Sequence, residues 1–179
     1  NLVKVLKAVE KINTGVEFTV EAGRPDRITK ENLAILKDFG VTRICVNPQT
    51  FSDETLKRIG RNHTAAEAIE KYLLAKEDFS VNMDFIAGLE GEDFSTFQKS
   101  IEKAIELSPD DITVHSLCIK HGAYLAEEKD RVDCTEIEKM VEFAEKSLSD
   151  AGYRPYYLYR QKYMAGNLEN TGYTKKGKA

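Results

Sequence analysis

Tryptophan is missing from this chain, and cysteine, proline and histidine are scarce, at three, four and three among 179 residues. Cys45, Cys118 and Cys134 stand far apart, so they offer no metal-finger or disulfide framework. Scattered thiols fit a reducing compartment, and a cytoplasmic location is expected. No apolar run nears the roughly 20 residues that span a bilayer, and no signal-peptide pattern opens the chain. Neither charge dominates: 26 basic and 30 acidic residues leave −4, so no nucleic-acid footprint stands out. With so little proline and glycine and 41% hydrophobic residues, disorder is excluded and one domain with a real core is expected.

What is present alternates between two periods. Leu2, Val5, Leu6 and Val9 follow helical spacing directly after Asn1. Val16 to Val20 is rich in β-branched and aromatic residues and predicts a strand. Thr29 predicts a helix start, with Leu33, Leu36 and Phe39 on one face and Gly40 at its end. Arg43 to Asn47 reads as the second strand, stopped by Pro48. Ser52 predicts a short helix, and Thr64 with Glu67 a capping box for a longer one that turns Ile69, Tyr72 and Leu73 inward. A third strand, Val81 to Ile86, runs into Gly88, and Asp93 opens a helix carrying Phe94, Phe97, Ile101 and Ala104. A fourth strand is expected over Ile112 to Leu117, a capped helix from Thr135, and a last strand over Tyr156 to Arg160. Tyr173 to Ala179 is polar and Lys-rich, with no structural signal. This order predicts an α/β chain with parallel strands joined by right-handed crossovers, either a doubly wound sheet or part of a (β/α) barrel. The uncovered stripe at one end and the polar run at the other predict a piece of a longer protein.

Sites in parallel βα proteins lie at the C-terminal strand ends. Here those ends carry Glu21, then Asn47 and Gln49, then Asp84, then His115 with Ser116, while Arg61 and His63 lie between two helices. Any one of these could cap a helix or bond a turn. Together they suit hydroxyls, an ammonium and a carboxylate, as an amino acid bearing a ribose presents. Gly88 to Glu92 is a strand-to-helix turn matching neither a Walker nor a dinucleotide fingerprint. His115, Cys118 and His121 fit no standard metal spacing, and no metal site is expected. The run Tyr153 to Lys162 is aromatic and basic, either an edge strand or a platform for a large flat anionic ligand.

Glu21-Ala22-Gly23-Arg24-Pro25-Asp26, Arg43 to Thr50, Ile59-Gly60-Arg61-Asn62-His63-Thr64 and Asn82 to Leu89 occur in an order that resembles the oxygen-independent coproporphyrinogen III oxidase family of radical S-adenosylmethionine enzymes. Tyr156 to Lys162 with Gly166 to Asn170 is similar to its coproporphyrinogen dehydrogenase branch. The resemblance implies part of a (β/α)6 partial barrel with about four to five strands present, its central and C-terminal βα units in residues 1–152 and the start of a substrate-side extension in 153–179. It implies that Glu21 meets the methionyl end of S-adenosylmethionine, Arg61 its carboxylate, and Gln49 and Asp84 its ribose hydroxyls. Tyr159 and Arg160 would face a porphyrinogen. In such enzymes a 4Fe–4S cluster reduces the cofactor to a 5′-deoxyadenosyl radical, fed by a donor such as flavodoxin or ferredoxin. Propionates of coproporphyrinogen III then leave as carbon dioxide, giving the vinyl groups of protoporphyrinogen IX in haem biosynthesis. The family's C-x-x-x-C-x-x-C cluster loop is absent, so the chain alone is expected to be inactive, and Glu90 stands where the family's turn has proline, so that loop is expected to differ. A haem-degrading methyltransferase and a haem chaperone of the same family are the rival readings, with His115 and His121 as haem ligands in the latter.

Overall fold

The computed structural model describes residues 2–11, 15, 17–117, 134–159 and 169–177. Helix α1 (Leu2–Glu10) precedes strand β1 (Thr19–Val20), followed by α2 (Lys30–Asp38), β2 (Arg43–Cys45), α3 (Asp53–Arg58) and α4 (Ala65–Ala75). Then come β3 (Ser80–Ala87), α5 (Phe94–Leu107), β4 (Asp111–Ser116), α6 (Cys134–Asp150), β5 (Tyr153–Tyr159) and β6 (Asn170–Lys175). Short polar side chains set the helix starts. Thr29, Ser52, Thr64 and Asp93 accept from the N–H groups of Asn32, Thr55, Glu67 and Thr96, satisfying donors that a helix start leaves open. Thr64 and Glu67 form the expected capping box.

The strands make one sheet in the order β1-β2-β3-β4-β6-β5. β1 to β4 are parallel neighbours, as their intervening helices require. The expected fifth parallel strand is a correction: β5 pairs antiparallel with β6, which pairs antiparallel with β4. The start of the polar C-terminal run, Tyr173 to Lys175, forms the second half of β6, with Tyr173 buried at 3% exposure, so the mostly parallel sheet holds six strands. Its partner β4 is remote in sequence, and a short polar strand shows no local signal of such a pairing.

Three smaller expectations also change. Tyr72 is buried as expected and Ile69 partly so, but Leu73 is 45% exposed; the buried stripe of α4 is Ala68, Tyr72 and Ala75, which i, i+4, i+7 spacing generates. Helix α6 already includes Cys134, so Thr135 lies in its first turn rather than capping it. Glu136 accepts from the Phe94 N–H at 3.1 Å and ties α6 to α5. Val16, expected in the first strand, lies outside the described residues.

The core lies between the sheet and its helices. Ile44, Val81, Met83, Phe85, Ala87, Ile112 and Val114, each 2% exposed or less, pack with Phe97, Ile101, Ala104, Met140, Ala144 and Leu148. Each large side chain so buried contributes roughly 1.5–3 kcal/mol before ordering costs. Among the described residues no helix is long and apolar enough to cross a membrane.

Candidate active site

Successive strand residues point to opposite faces, so the other parity of β2, β3 and β4 faces away from the helices. That parity is polar: Arg43 and Cys45, Asn82 and Asp84, Asp111, Thr113 and His115. The register aligns it into rows. Cys45, Asn82, Asp111, Thr174 and Arg154 form one, and Asp84, Thr113, Gly172 and Tyr157 the next. Ile86 with His115, and Asn170 with Tyr159, lie one step nearer the parallel strands' C-terminal ends.

This face is concave. Arg43 on β2 donates through Nη2 to the Tyr156 hydroxyl on β5 at 2.7 Å, although β3, β4 and β6 lie between them in the sheet. Its Nη2 is also 2.9 Å from Asp111 Oδ2 on β4, and Nη1 is 3.6 Å from Glu17. These contacts close the floor. Gly172 makes room for the closure, since a Cβ there would sit 3.0 Å from the Tyr156 ring. Burial pushes the Asp111 carboxyl above the usual carboxylate range, with the Thr174 hydroxyl and the Arg43 charge opposing it.

Above the floor, side chains link four strands. The Cys45 thiol donates to Glu21 Oε1 at 3.2 Å, and Asn82 Nδ2 lies 3.8 Å from Cys45 Sγ. Asn82 Nδ2 donates to Asp84 Oδ1 at 2.6 Å, and Thr113 donates to Asn82 Oδ1 at 2.9 Å. His115 Nε2 is 3.6 Å from Asp84 Oδ2, with both side chains partly open. Glu21 and Asp84 are thus joined through Cys45 and Asn82.

Gln49 reaches the same place by backbone. Its N–H donates to the Asp84 carbonyl at 2.9 Å and its carbonyl accepts from Ile86 at 3.0 Å, with φ at 71°. The next residue is anchored from behind: the Thr50 hydroxyl donates to Glu92 Oε1 at 2.5 Å and lies 3.2 Å from Ser100 Oγ. Burial pushes the Glu92 carboxyl up, against the Thr50 and Thr55 hydroxyls. Arg61 follows α3, its N–H donating to the Leu56 carbonyl at 2.9 Å. Buried His63 holds that segment to the Gln49 segment, with Nε2 3.3 Å from the Pro48 carbonyl. A carbonyl only accepts, so Nε2 carries the proton.

Tyr157 and Tyr159 stack on the polar face, ring centroids 6.5 Å apart and planes 7° from parallel. Both are about half exposed. Arg160, Cys118 and His121 lie outside the described residues. Among the described residues no three His, Cys, Asp or Glu side chains gather as metal donors. Burial, then the Glu21 charge, pushes the Cys45 thiol far up, the reverse of what a thiolate ligand needs.

Reading strand ends alone misses Cys45, Asn82 and Thr113 as members of the constellation. The available signal was polar residues two apart in strands otherwise apolar, Asn82 before Asp84 and Asp111 before Thr113 and His115. A buried parallel strand has no ordinary use for them.

The family model described as "Radical SAM superfamily" matches residues 1–104. The oxygen-independent coproporphyrinogen-III oxidase-like protein HemZ of Bacillus subtilis is 45% identical over 166 residues, 90% of this chain and 33% of that protein. The haem chaperone HemW of the same organism is 36% identical over 106 residues, 58% of this chain and 28% of that protein. The chain thus spans about a third of the curated relatives it matches. Among solved structures, the coproporphyrinogen III oxidase HemN of Escherichia coli superposes with a TM-score of 0.79 at 18% identity, over 98% of this chain and 40% of that one. That likeness establishes a shared fold.

Proposed function

Because the chain belongs to the Radical SAM superfamily, we propose that its concave face belongs to an oxygen-independent enzyme that oxidatively decarboxylates coproporphyrinogen III to protoporphyrinogen IX. Members of the superfamily use S-adenosylmethionine and a 4Fe–4S cluster, which together supply radical chemistry. The described residues suit the first and not the second. Glu21 would take the methionyl ammonium, Arg61 the carboxylate, and Gln49 and Asp84 the ribose hydroxyls. Against a cluster stands Cys45, a buried thiol engaged with Glu21.

The observation that carries the reading is that the two kinds of wall share one surface. The row Asp84, Thr113, Gly172, Tyr157 runs from the polar wall to the tyrosine wall. Glycine in that row lets the Tyr156 ring pack down beside it, which brings the tyrosines onto the same surface as the polar wall. Stacked tyrosine faces suit a flat tetrapyrrole, and residues 153–179 would begin a substrate-side extension, with Tyr159 and Arg160 facing the substrate. Each propionate that becomes a vinyl group loses carbon dioxide, one proton and two electrons; the proton and one electron would leave together as a hydrogen atom taken by the radical chemistry the cofactor supplies, and the other electron would pass to a one-electron acceptor. A donor such as flavodoxin or ferredoxin would start each turnover, in the cytoplasm.

The HemW relatives favour a second reading, haem binding and transfer, with His115 at the rim as a ligand. One experiment separates the two. The intact protein, reconstituted with iron and sulfide, is expected to release carbon dioxide from coproporphyrinogen III and to form 5′-deoxyadenosine. Cofactor cleavage without carbon dioxide would refute the decarboxylase, and a haem Soret shift abolished by His115→Ala would support the chaperone.

A further inference from the structure

We infer that Asn82 is a positioning residue that sets the orientation of the Asp84 carboxylate, and that Thr113 in turn sets Asn82. The inference rests on the reading that Asp84 bonds the ribose of a nucleoside ligand, and it assigns a role to two residues outside that reading.

Asn82 is 5% exposed in the middle of β3. A buried amide is costly unless its groups are paired, so such a residue is tolerated where its partners are fixed. Its partners here also determine which way the amide points. A carboxylate only accepts, so the group 2.6 Å from Asp84 Oδ1 is the Nδ2 donor. The Thr113 hydroxyl, 2.9 Å from Asn82 Oδ1, then has to donate to it. Reversing the amide would turn oxygen toward carboxylate and nitrogen toward the hydroxyl, breaking the charge-assisted bond. Thr113 is held in turn by its place on β4, directly opposite Asp84 in the register.

The consequence falls on Asp84. Asn82 and Asp84 are two apart on one strand and point to the same face. One carboxylate oxygen is occupied by Asn82, while the other lies 3.6 Å from His115 Nε2, with the side chain 17% exposed. A carboxylate pinned at one oxygen presents the other in one direction. That saves the ordering that a freely rotating carboxylate undergoes when a diol binds. The same amide lies 3.8 Å from the Cys45 sulfur, whose thiol bonds Glu21, so the two carboxylates are set relative to one another.

The test uses the intact protein and two ligands, S-adenosylhomocysteine and its 2′,3′-dideoxyribose analogue, with affinities measured by calorimetry. Losing one charge-assisted bond corresponds to about tenfold in affinity. Asn82→Ala is expected to weaken the hydroxyl-bearing ligand about tenfold and the dideoxy ligand less than about twofold. Thr113→Val, which keeps the branched shape and removes the hydroxyl, should shift the same ratio in the same direction, about threefold. It also carries the test if Asn82→Ala does not fold. Equal weakening of both ligands would mean a merely structural role and overturn the inference. Asp84→Asn is the control that separates the two failures. If it abolishes the preference for the hydroxyl-bearing ligand while Asn82→Ala and Thr113→Val leave that preference intact, the positioning role is wrong and the ribose reading stands. If it leaves the preference intact, the ribose reading fails and the inference falls with it.

Discussion

Replacing Arg43 with Met is expected to destabilise the protein by an amount that depends on pH, because the residue it abandons is Asp111. Asp111 is fully buried, and Arg43 Nη2 lies 2.9 Å from its Oδ2. Removing one partner of a buried pair costs about 3–5 kcal/mol, since the remaining charge has neither water nor an opposite charge beside it, only the Thr174 hydroxyl. Protonation of Asp111 limits that cost. Burial already holds its carboxyl above the usual range, with Thr174 and Arg43 opposing, and losing Arg43 raises it further. The folded protein then binds more protons than the unfolded chain between the ordinary aspartate range and the raised folded value. Stability therefore falls as pH rises through that window, by up to about 1.4 kcal/mol per unit.

Urea unfolding at about pH 5 and about pH 8 is the assay. The loss in Arg43→Met is expected to be larger at the higher pH. In an Asp111→Asn background the same substitution should cost only about 1 kcal/mol, the worth of the bond to Tyr156. A loss that ignores pH, or that is equal in the two backgrounds, would refute the argument that Arg43 serves mainly to neutralise Asp111.

Two further outcomes follow from single features. Alkylation of the native protein is expected to mark exposed Cys134 well before Cys45, which is 3% exposed with its thiol held protonated; mass spectrometry showing early labelling of Cys45 would contradict the ladder through Glu21. Gly88→Ala should cost about 1–3 kcal/mol, because φ is +87° and the new Cβ would lie 2.5 Å from Ile137 Cδ1, and an unchanged melting temperature would show that the turn relaxes freely.

Much of the chain was legible from local signals. Thr29, Ser52, Thr64 and Asp93 mark helix starts because a side-chain oxygen two or three residues ahead of a free N–H is a local device. Glu21, Gln49 and Asp84 could be singled out because parallel strands leave their C-terminal ends as the place for polar groups, whereas Arg61, in the loop between α3 and α4, was singled out beside them. Their roles toward a ligand came from resemblance, and remain proposals. Chain order could not reveal that β6 inserts between β4 and β5, since that pairing is non-local and its sequence is polar. Nor could it reveal that Arg43 meets Asp111 and Tyr156, or that Asn82 stands between Cys45, Asp84 and Thr113. Those contacts depend on strand register and on how far the sheet curls. The sequence by itself determined where the helices and the four parallel strands run and which polar residues stand at their ends. The tertiary structure alone decided which of them touch, because a row across a sheet is assembled from positions that the chain keeps far apart.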